Sequence, residues 1–205
     1  MAQLEEDGRL LKVDDHSHAV GHCSRCNTVV EPLVSTQWFV RIKPLAEPAI
    51  AAVEDGRTRF VPENWARTYF EGMPNIHDWG ISRQLWWGHR VPAWYCDQCD
   101  AVTVDEETPE RCDCGGELRQ DTDVLDTWFS SALWPLSTMG WPDPARFPLM
   151  ENLLETFQPT SVLCTGRDII TLWVSRMVRF NRYFLTQTLP FHDVYIHPMV
   201  QDGHG

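Results

Sequence analysis

Lysine is nearly missing from this chain. Only Lys12 and Lys43 occur among its 17 basic residues, against 29 acidic ones, for a formal net charge of −12. A protein that coats a nucleic-acid backbone with its whole surface is basic. A DNA- or RNA-coating protein is therefore excluded, and any RNA contact must rest on a local arginine cluster or on a basic surface elsewhere. Also missing is an apolar run of the roughly 18 residues a membrane span requires, so no membrane partner is expected. The opening MAQLEEDGRLLK is acidic and polar, without the basic-then-apolar order of an export signal, and a cytoplasmic location is expected. In a reducing compartment the seven cysteines read as thiols or metal ligands, not as a disulfide framework. No repeat or low-complexity run stands out, and 43% hydrophobic with 22% charged residues excludes wholesale disorder. The 205 residues leave room for one large domain or two small ones.

What is present is an α/β pattern. PLAEPAIAAVED (44–55) predicts a helix stopped by Gly56, and a second helix is expected over 62–70 with Pro62 in its first turn. A further helix is expected around 126–134. Then SVLCTG (161–166) reads as a strand, 167–184 as a helix and DVYIHPMV (193–200) as another strand, which is one βαβ crossover of a parallel sheet. Ile169, Leu172, Trp173, Met177, Phe180 and Phe184 form a core-facing stripe on that helix. Arg176, Arg179 and Arg182 share a flank, either solvated or touching RNA phosphates. Residues 1–33 are polar and strand-like around 28–30. The closing QDGHG is a turn with nothing after it, as in a truncated chain.

Two thiol pairs, Cys96-Asp-Gln-Cys99 and Cys112-Asp-Cys114-Gly-Gly, flank an acidic turn-rich stretch. Four soft ligands suit tetrahedral Zn2+, and a closed four-thiolate site holds an insert together without catalysing anything. The C-x-C spacing of the second pair is tight for such a site, so ordinary loop thiols are the alternative. Cys23 and Cys26 make half a site, completed by His18 and His22, by cysteines elsewhere, or by nothing. Cys164, inside an apolar strand, is expected to be a small core residue.

Ten Trp stand against four Tyr, and they lie in particular strings: EPLVSTQWFV, DWGISRQLWWGHRVPAWYC, DVLDTWFSSALWPLSTMGWPD and TGRDIITLWVSRM. In this order they closely resemble the valyl-tRNA synthetases, class I enzymes whose Rossmann-type catalytic domain is interrupted by an editing domain. The string DTWFSSALWP separates the chain from isoleucine and leucine relatives. Neither ATP signature of that family, H-I-G-H or K-M-S-K-S, is found. The resemblance thus implies an internal piece: 1–33 ending the editing insert, 34–94 returning to the catalytic domain, 95–122 a zinc knuckle, and 123–205 the second half of the Rossmann-type fold. The implied activity is an ATP-dependent ligase that makes valyl-adenylate from valine and ATP with its Mg2+, charges tRNA(Val), and edits threonine in the full-length protein. The piece alone is expected to be inactive. A ligase for isoleucine, or a zinc-stabilised RNA-binding module without catalysis, are the competing readings.

Residue by residue, Trp128 and Trp173 match the family's walls of the valine side-chain pocket, an apolar helix core being the alternative for Trp173. Gly166 and Asp168 match a G-x-D element near the ATP ribose, where a first-turn Asp stabilising a helix is the alternative. His197 matches a His-Gly pair near the adenine, with Pro198 here in place of glycine. Arg83 and Arg90, with Gln84 and Trp87, lie in the SRQLWWGHR string bordering the active site, where a tRNA 3′-end contact and simple packing stand as equals. Gly80 and Arg167 depart from the family's common residues.

Overall fold

The computed structural model describes residues 2–24, 26–186 and 188–203; Arg25 between the first cysteines and the last two residues of QDGHG lie outside the described residues. Two compact units emerge, 1–36 and 37–205. The first carries a short helix, Ala2–Glu6, and a turn closed by an antiparallel bridge between His22 and Val29. In that turn the Cys23 N–H reaches the Thr28 carbonyl at 2.8 Å and the Val30 N–H reaches Gly21 at 2.9 Å.

The second unit runs α1 (Lys43–Glu54), β1 (Arg59–Val61), α2 (Ala66–Gly72), β2 (Ala93–Cys96), β3 (Val102–Val104), β4 (Leu118–Gln120), α3 (Thr127–Ala132), β5 (Thr160–Gly166), α4 (Ser175–Phe184) and β6 (Phe191–His197). Strand β6 lies between β1 and β5 and is parallel to both, with Val194 facing Phe60 on one side and Leu163 on the other. The step β5–α4–β6 is the parallel crossover that the sequence pattern predicts. Helix α1 packs on α4 through Ala46, Ala49 and Ala52, which are fully or almost fully buried. Small side chains at three-residue steps let the two backbones approach closely. Gly56 ends α1 at φ +71°, a conformation glycine adopts at little cost. Residues 63–65 form a 3-10 turn before α2, so the second expected helix starts tighter and ends later than its sequence suggests. Tyr69, wholly buried on α2, ties it to α1 by donating to the Ala49 carbonyl at 3.0 Å.

Three expectations are corrected here. Cys164 is exposed, because on β5 the inward positions go to Leu163 and Thr165 and the intervening residues turn away from the core. The stretch after Gly166 is not one uniform helix: Arg167–Ile169 is a 3-10 turn, Ile170–Val174 a π-turn, and α4 begins at Ser175. The π-turn shifts the helical register, so Ile170, Val174, Met177 and Val178 fill the core while Leu172 and Phe184 remain 40% and 38% exposed. The basic flank is only partly solvated: Arg176 and Arg182 are half-buried and Arg179 is inside. Arg179 is buried, its Nε and Nη2 donating to the Ser175 carbonyl and hydroxyl, each at 3.1 Å. Burial pulls its pKa down to about 10.

Residues 93–120 form a small antiparallel sheet in the order β3–β2–β4, with Trp94 facing Thr103 and Gln120. Its base is held by the two-residue strands Ser82–Arg83 and Val124–Leu125, paired antiparallel. Among the described residues, no helix is long and apolar enough to cross a membrane.

Candidate functional site

The four thiols of the insert converge. Cys96 closes β2, Cys99 follows in a turn whose next residue, Asp100, is left-handed at φ +55°, and Cys112 and Cys114 sit in a knuckle opposite. The Gly115 N–H returns to the Cys112 carbonyl at 2.7 Å, with Gly115 at φ +85°, and a Cβ on Gly116 would stand 2.8 Å from the Cys96 sulfur. Glycines at both positions therefore let the C-x-C pair close up despite its short spacing. All four sulfurs lie within 4.8 Å of one another, with 3.5 Å between Cys96 and Cys114 and 3.6 Å between Cys99 and Cys112. Tetrahedral Zn2+ with Zn–S bonds near 2.3 Å requires sulfurs about 3.8 Å apart, so the donor set fits that ion in kind, number and spacing. Backbone N–H groups already favour thiolate here. That of Gln98 draws Cys96 down to about 7. Cys99 accepts from Ala101, but the thiols of Cys114, Cys112 and Cys96 outweigh this and push it up to about 12. Four crowded sulfurs cannot all ionise without a cation among them.

A second site forms at the carboxyl ends of the parallel strands, where open α/β sheets bind ligands. His197 ends β6 directly opposite Gly166, which ends β5. A cleft of about 440 Å³ opens beside them, lined by Pro62, Trp65, Arg167, His197, Met199 and Gln201 among others. His197 Nδ1 lies 2.9 Å from the Pro198 carbonyl, an acceptor, so Nδ1 donates to it. A Cβ on Gly166 would meet Met199 Sδ at 2.9 Å. Asp168, in the turn after β5, is exposed and 3.4 Å from the Arg167 guanidinium, which also lies over the Trp65 ring at 6.0 Å. A larger cavity of about 760 Å³, between the end of α1, β1 and α2, holds none of the site residues expected from the sequence.

The third cluster surrounds Asp126, which the sequence reading passed over. Its carboxylate is buried. Oδ1 accepts the Trp128 N–H at 3.2 Å and so caps α3, while Oδ2 accepts the Trp79 indole N–H at 3.1 Å and the Arg83 guanidinium at 2.7 Å. An Asp immediately before TWFSSA is an N-cap signal, but nothing in the sequence shows that the same carboxylate gathers Trp79 and Arg83 from more than 40 residues away. Trp128 and Trp173 stand on contacting elements, α3 and the π-turn. The Trp173 indole donates to the Ser131 carbonyl at 3.1 Å and meets Trp134 edge-on at 6.0 Å. Arg83 also donates to the carbonyls of Gly80 and Ser82, each at 2.8 Å, and Arg90 to that of Asp121 at 2.6 Å. Both guanidiniums are thus bonded within the chain. Between them Trp86 and Trp87 are almost fully exposed. In the first unit, Cys26 Sγ pairs with the Thr28 hydroxyl at 3.3 Å, and hydrogen bonds from Thr28 draw its pKa down to about 7.

The family described as "tRNA synthetases class I (I, L, M and V)" matches residues 12–205. A curated valine–tRNA ligase from Geobacter sulfurreducens is 59% identical over 98% of this chain, and one from Thermotoga maritima is 53% identical over 98%. This chain spans 22% and 23% of those relatives, about a fifth of their length. Among solved structures, Mycobacterium tuberculosis methionyl-tRNA synthetase bound by methionyl-adenylate is similar with TM-score 0.56 and 17% identity, over 87% of this chain and 29% of that one. At that identity the likeness concerns the fold.

Proposed function

The chain belongs to the class I tRNA synthetases of the I, L, M and V group, and from that premise we propose that it is the part of a valine–tRNA ligase that walls the amino-acid pocket and holds the nucleoside end of ATP. The observation that carries this reading is the 59% identity to a curated valine–tRNA ligase along nearly the whole chain. The proposed reaction has two steps. A valine carboxylate oxygen attacks the α-phosphorus of Mg2+-bound ATP, pyrophosphate leaves, and valyl-adenylate forms. A terminal ribose hydroxyl of tRNA(Val) then attacks the valyl carbonyl and AMP leaves. Both steps depend on positioning and charge stabilisation and require no protein nucleophile.

In this reading Trp128 and Trp173 supply flat apolar walls for a branched side chain that offers only shape for recognition. Gly166 leaves room for the nucleoside, Asp168 accepts from the ribose hydroxyls, and His197 lies beside the adenine. Arg83 and Arg90, bonded to the chain itself, hold the exposed Trp86–Trp87 turn where the tRNA end approaches. The proposed organisation keeps 1–33 as the end of an editing insert acting on mischarged threonine, 34–94 as the return into the catalytic domain, 95–122 as a zinc knuckle, and 123–205 as the second Rossmann half. Cys96, Cys99, Cys112 and Cys114 would hold a Zn2+ whose four thiolates leave no position for water, so it would stabilise the insert and take no part in the reaction. Cys23 and Cys26 offer half of a second site. A cytoplasmic role in translation follows from the same reading.

The test uses the complete ligase carrying this segment. Valine-dependent ATP–pyrophosphate exchange should greatly exceed the isoleucine-dependent rate, and Asp168→Ala should raise the ATP KM by roughly 10-fold or more with little change in the valine KM. Exchange driven equally by isoleucine, or an ATP KM untouched by Asp168→Ala, would contradict the assignment.

A further inference from the structure

We propose that Arg176 is a positioning residue of the amino-acid pocket, clamping the indole of Trp128 from the same side chain that covers Trp79. This rests on the pocket reading above and goes beyond it, because neither the sequence pattern nor the family resemblance gives Arg176 a role in substrate selection. Its guanidinium carbon lies 3.9 Å from the Trp79 ring centroid and 5.8 Å from that of Trp128, so one cation faces two indoles. Such contacts are strongest where water is displaced. Arg176 Nη1 donates to the Leu172 carbonyl at 3.0 Å, the residue next to Trp173, which ties the clamp to the π-turn bearing the other proposed wall. Its Nε is buried with no hydrogen-bond partner. Burial lowers its pKa, a nearby Asp126 carboxylate opposes the shift and Arg83 adds to it.

The same carboxylate links the two rings. Asp126 holds the Trp79 indole N–H through Oδ2 and the backbone of Trp128 through Oδ1. Trp128 is thus fixed at its main chain by an anion and over its ring by a cation. A ring so held keeps one plane when the pocket is empty, so the shape that rejects a longer side chain exists before the amino acid arrives. The alternative sequence reading, a phosphate contact on RNA, suits this side chain less well, since its flat face is stacked and one nitrogen is already spent.

The experiment compares Arg176→Gln, Arg176→Lys and Trp128→Ala in the complete ligase carrying this segment, by valine- and isoleucine-dependent exchange together with thermal melting. Arg176→Gln should raise the valine KM about 5- to 30-fold, leave the ATP KM within about twofold, and narrow the preference for valine over isoleucine. Arg176→Lys should recover part of the loss, because an ammonium still sits over one ring but cannot lie flat between two. A Gln variant that melts lower yet keeps the parent valine KM and preference would overturn the proposal. If Trp128→Ala relaxes the preference and Arg176→Gln does not, the clamp alone fails; if neither does, the pocket reading fails with it. Should the Gln variant not fold, the Lys variant decides. A rise of about two- to fivefold in valine KM supports the clamp, and an unchanged value refutes it.

Discussion

Replacing Asp126 by Ala removes three interactions at once, and their sum follows from the geometry. The Oδ1 contact to the Trp128 N–H at 3.2 Å is the N-cap of α3, worth about 1 kcal/mol. The Oδ2 contact to the Trp79 indole leaves a donor stranded on a residue only 9% exposed, a cost of about 1–3 kcal/mol. The Arg83 pair is short at 2.7 Å, but the Arg83 side chain is 41% exposed, so solvent screening holds its share to roughly 0.5–1 kcal/mol. The total is about 2.5–5 kcal/mol, and at some 2–4 °C per kcal/mol for a domain of this size the 205-residue chain should melt about 5–20 °C lower. Asp126→Asn keeps an oxygen for the Trp128 N–H but sets an amide NH2 where Oδ2 accepted from Trp79 and Arg83, so it should recover little more than the cap and cost about 1 kcal/mol less than Ala. Calorimetry or circular dichroism melts of the parent and both variants make the test. An Ala variant melting within about 2 °C of the parent, or an Asn variant as stable as the parent, would refute the hub.

Three other outcomes are expected. Changing both Cys96 and Cys99 to Ser should abolish about one zinc per chain in elemental analysis and make residues 95–122 protease-sensitive; unchanged zinc, or none in the parent, contradicts the site. Gly88→Ala should destabilise by about 1–3 kcal/mol, because Gly88 sits at φ +153° and the new Cβ would lie 3.0 Å from the branched Cβ of Val124; a neutral melt would show that this turn relaxes freely. The third concerns Asp121, where burial opposes the charge but the Asp123 N–H, the Trp38 indole, the Tyr95 hydroxyl and Arg90 outweigh it and hold the carboxyl below its usual range. Because the folded value is depressed, its stabilisation is complete above the ordinary carboxylate pKa of about 3.9 and fades as pH falls further. The stability gap between parent and Asp121→Asn should therefore be constant near neutrality and shrink below about pH 4; a gap that widens in acid contradicts this.

The parallel crossover was legible because buried strands leave short apolar runs and a glycine marks the turn between strand and helix. The thiol cluster was legible from spacing, yet the glycines that close Cys112 and Cys114 onto Cys96 are what make a short C-x-C workable. Other features depend on tertiary contacts that spacing does not carry. A 3.6-residue stripe cannot anticipate the π-turn at 170–174, which moves Ile170 and Val174 inward and Leu172 out. Charge alone suggested a solvated flank, whereas Ser175 supplies the acceptors that allow Arg179 to be buried. Alternation along β5 assigned Leu163 and Thr165 to the core and left Cys164 outside. Asp126 reads locally as a helix cap. Its contacts with Trp79 and Arg83 arise only when Ser82–Arg83 pairs with Val124–Leu125.

The central claim is that this segment walls a valine pocket, and the most direct measurement is the valine-to-isoleucine preference of Trp128→Ala in the complete ligase. Losing a flat wall over an isopropyl group should cost about 2–3 kcal/mol, or roughly 30- to 150-fold in valine kcat/KM, with the ATP KM nearly unchanged. Isoleucine, longer by one methylene worth about 1–3 kcal/mol of discrimination, should gain relative to valine as the pocket widens. A well-folded Trp128→Ala enzyme that retains the parent preference would contradict the account.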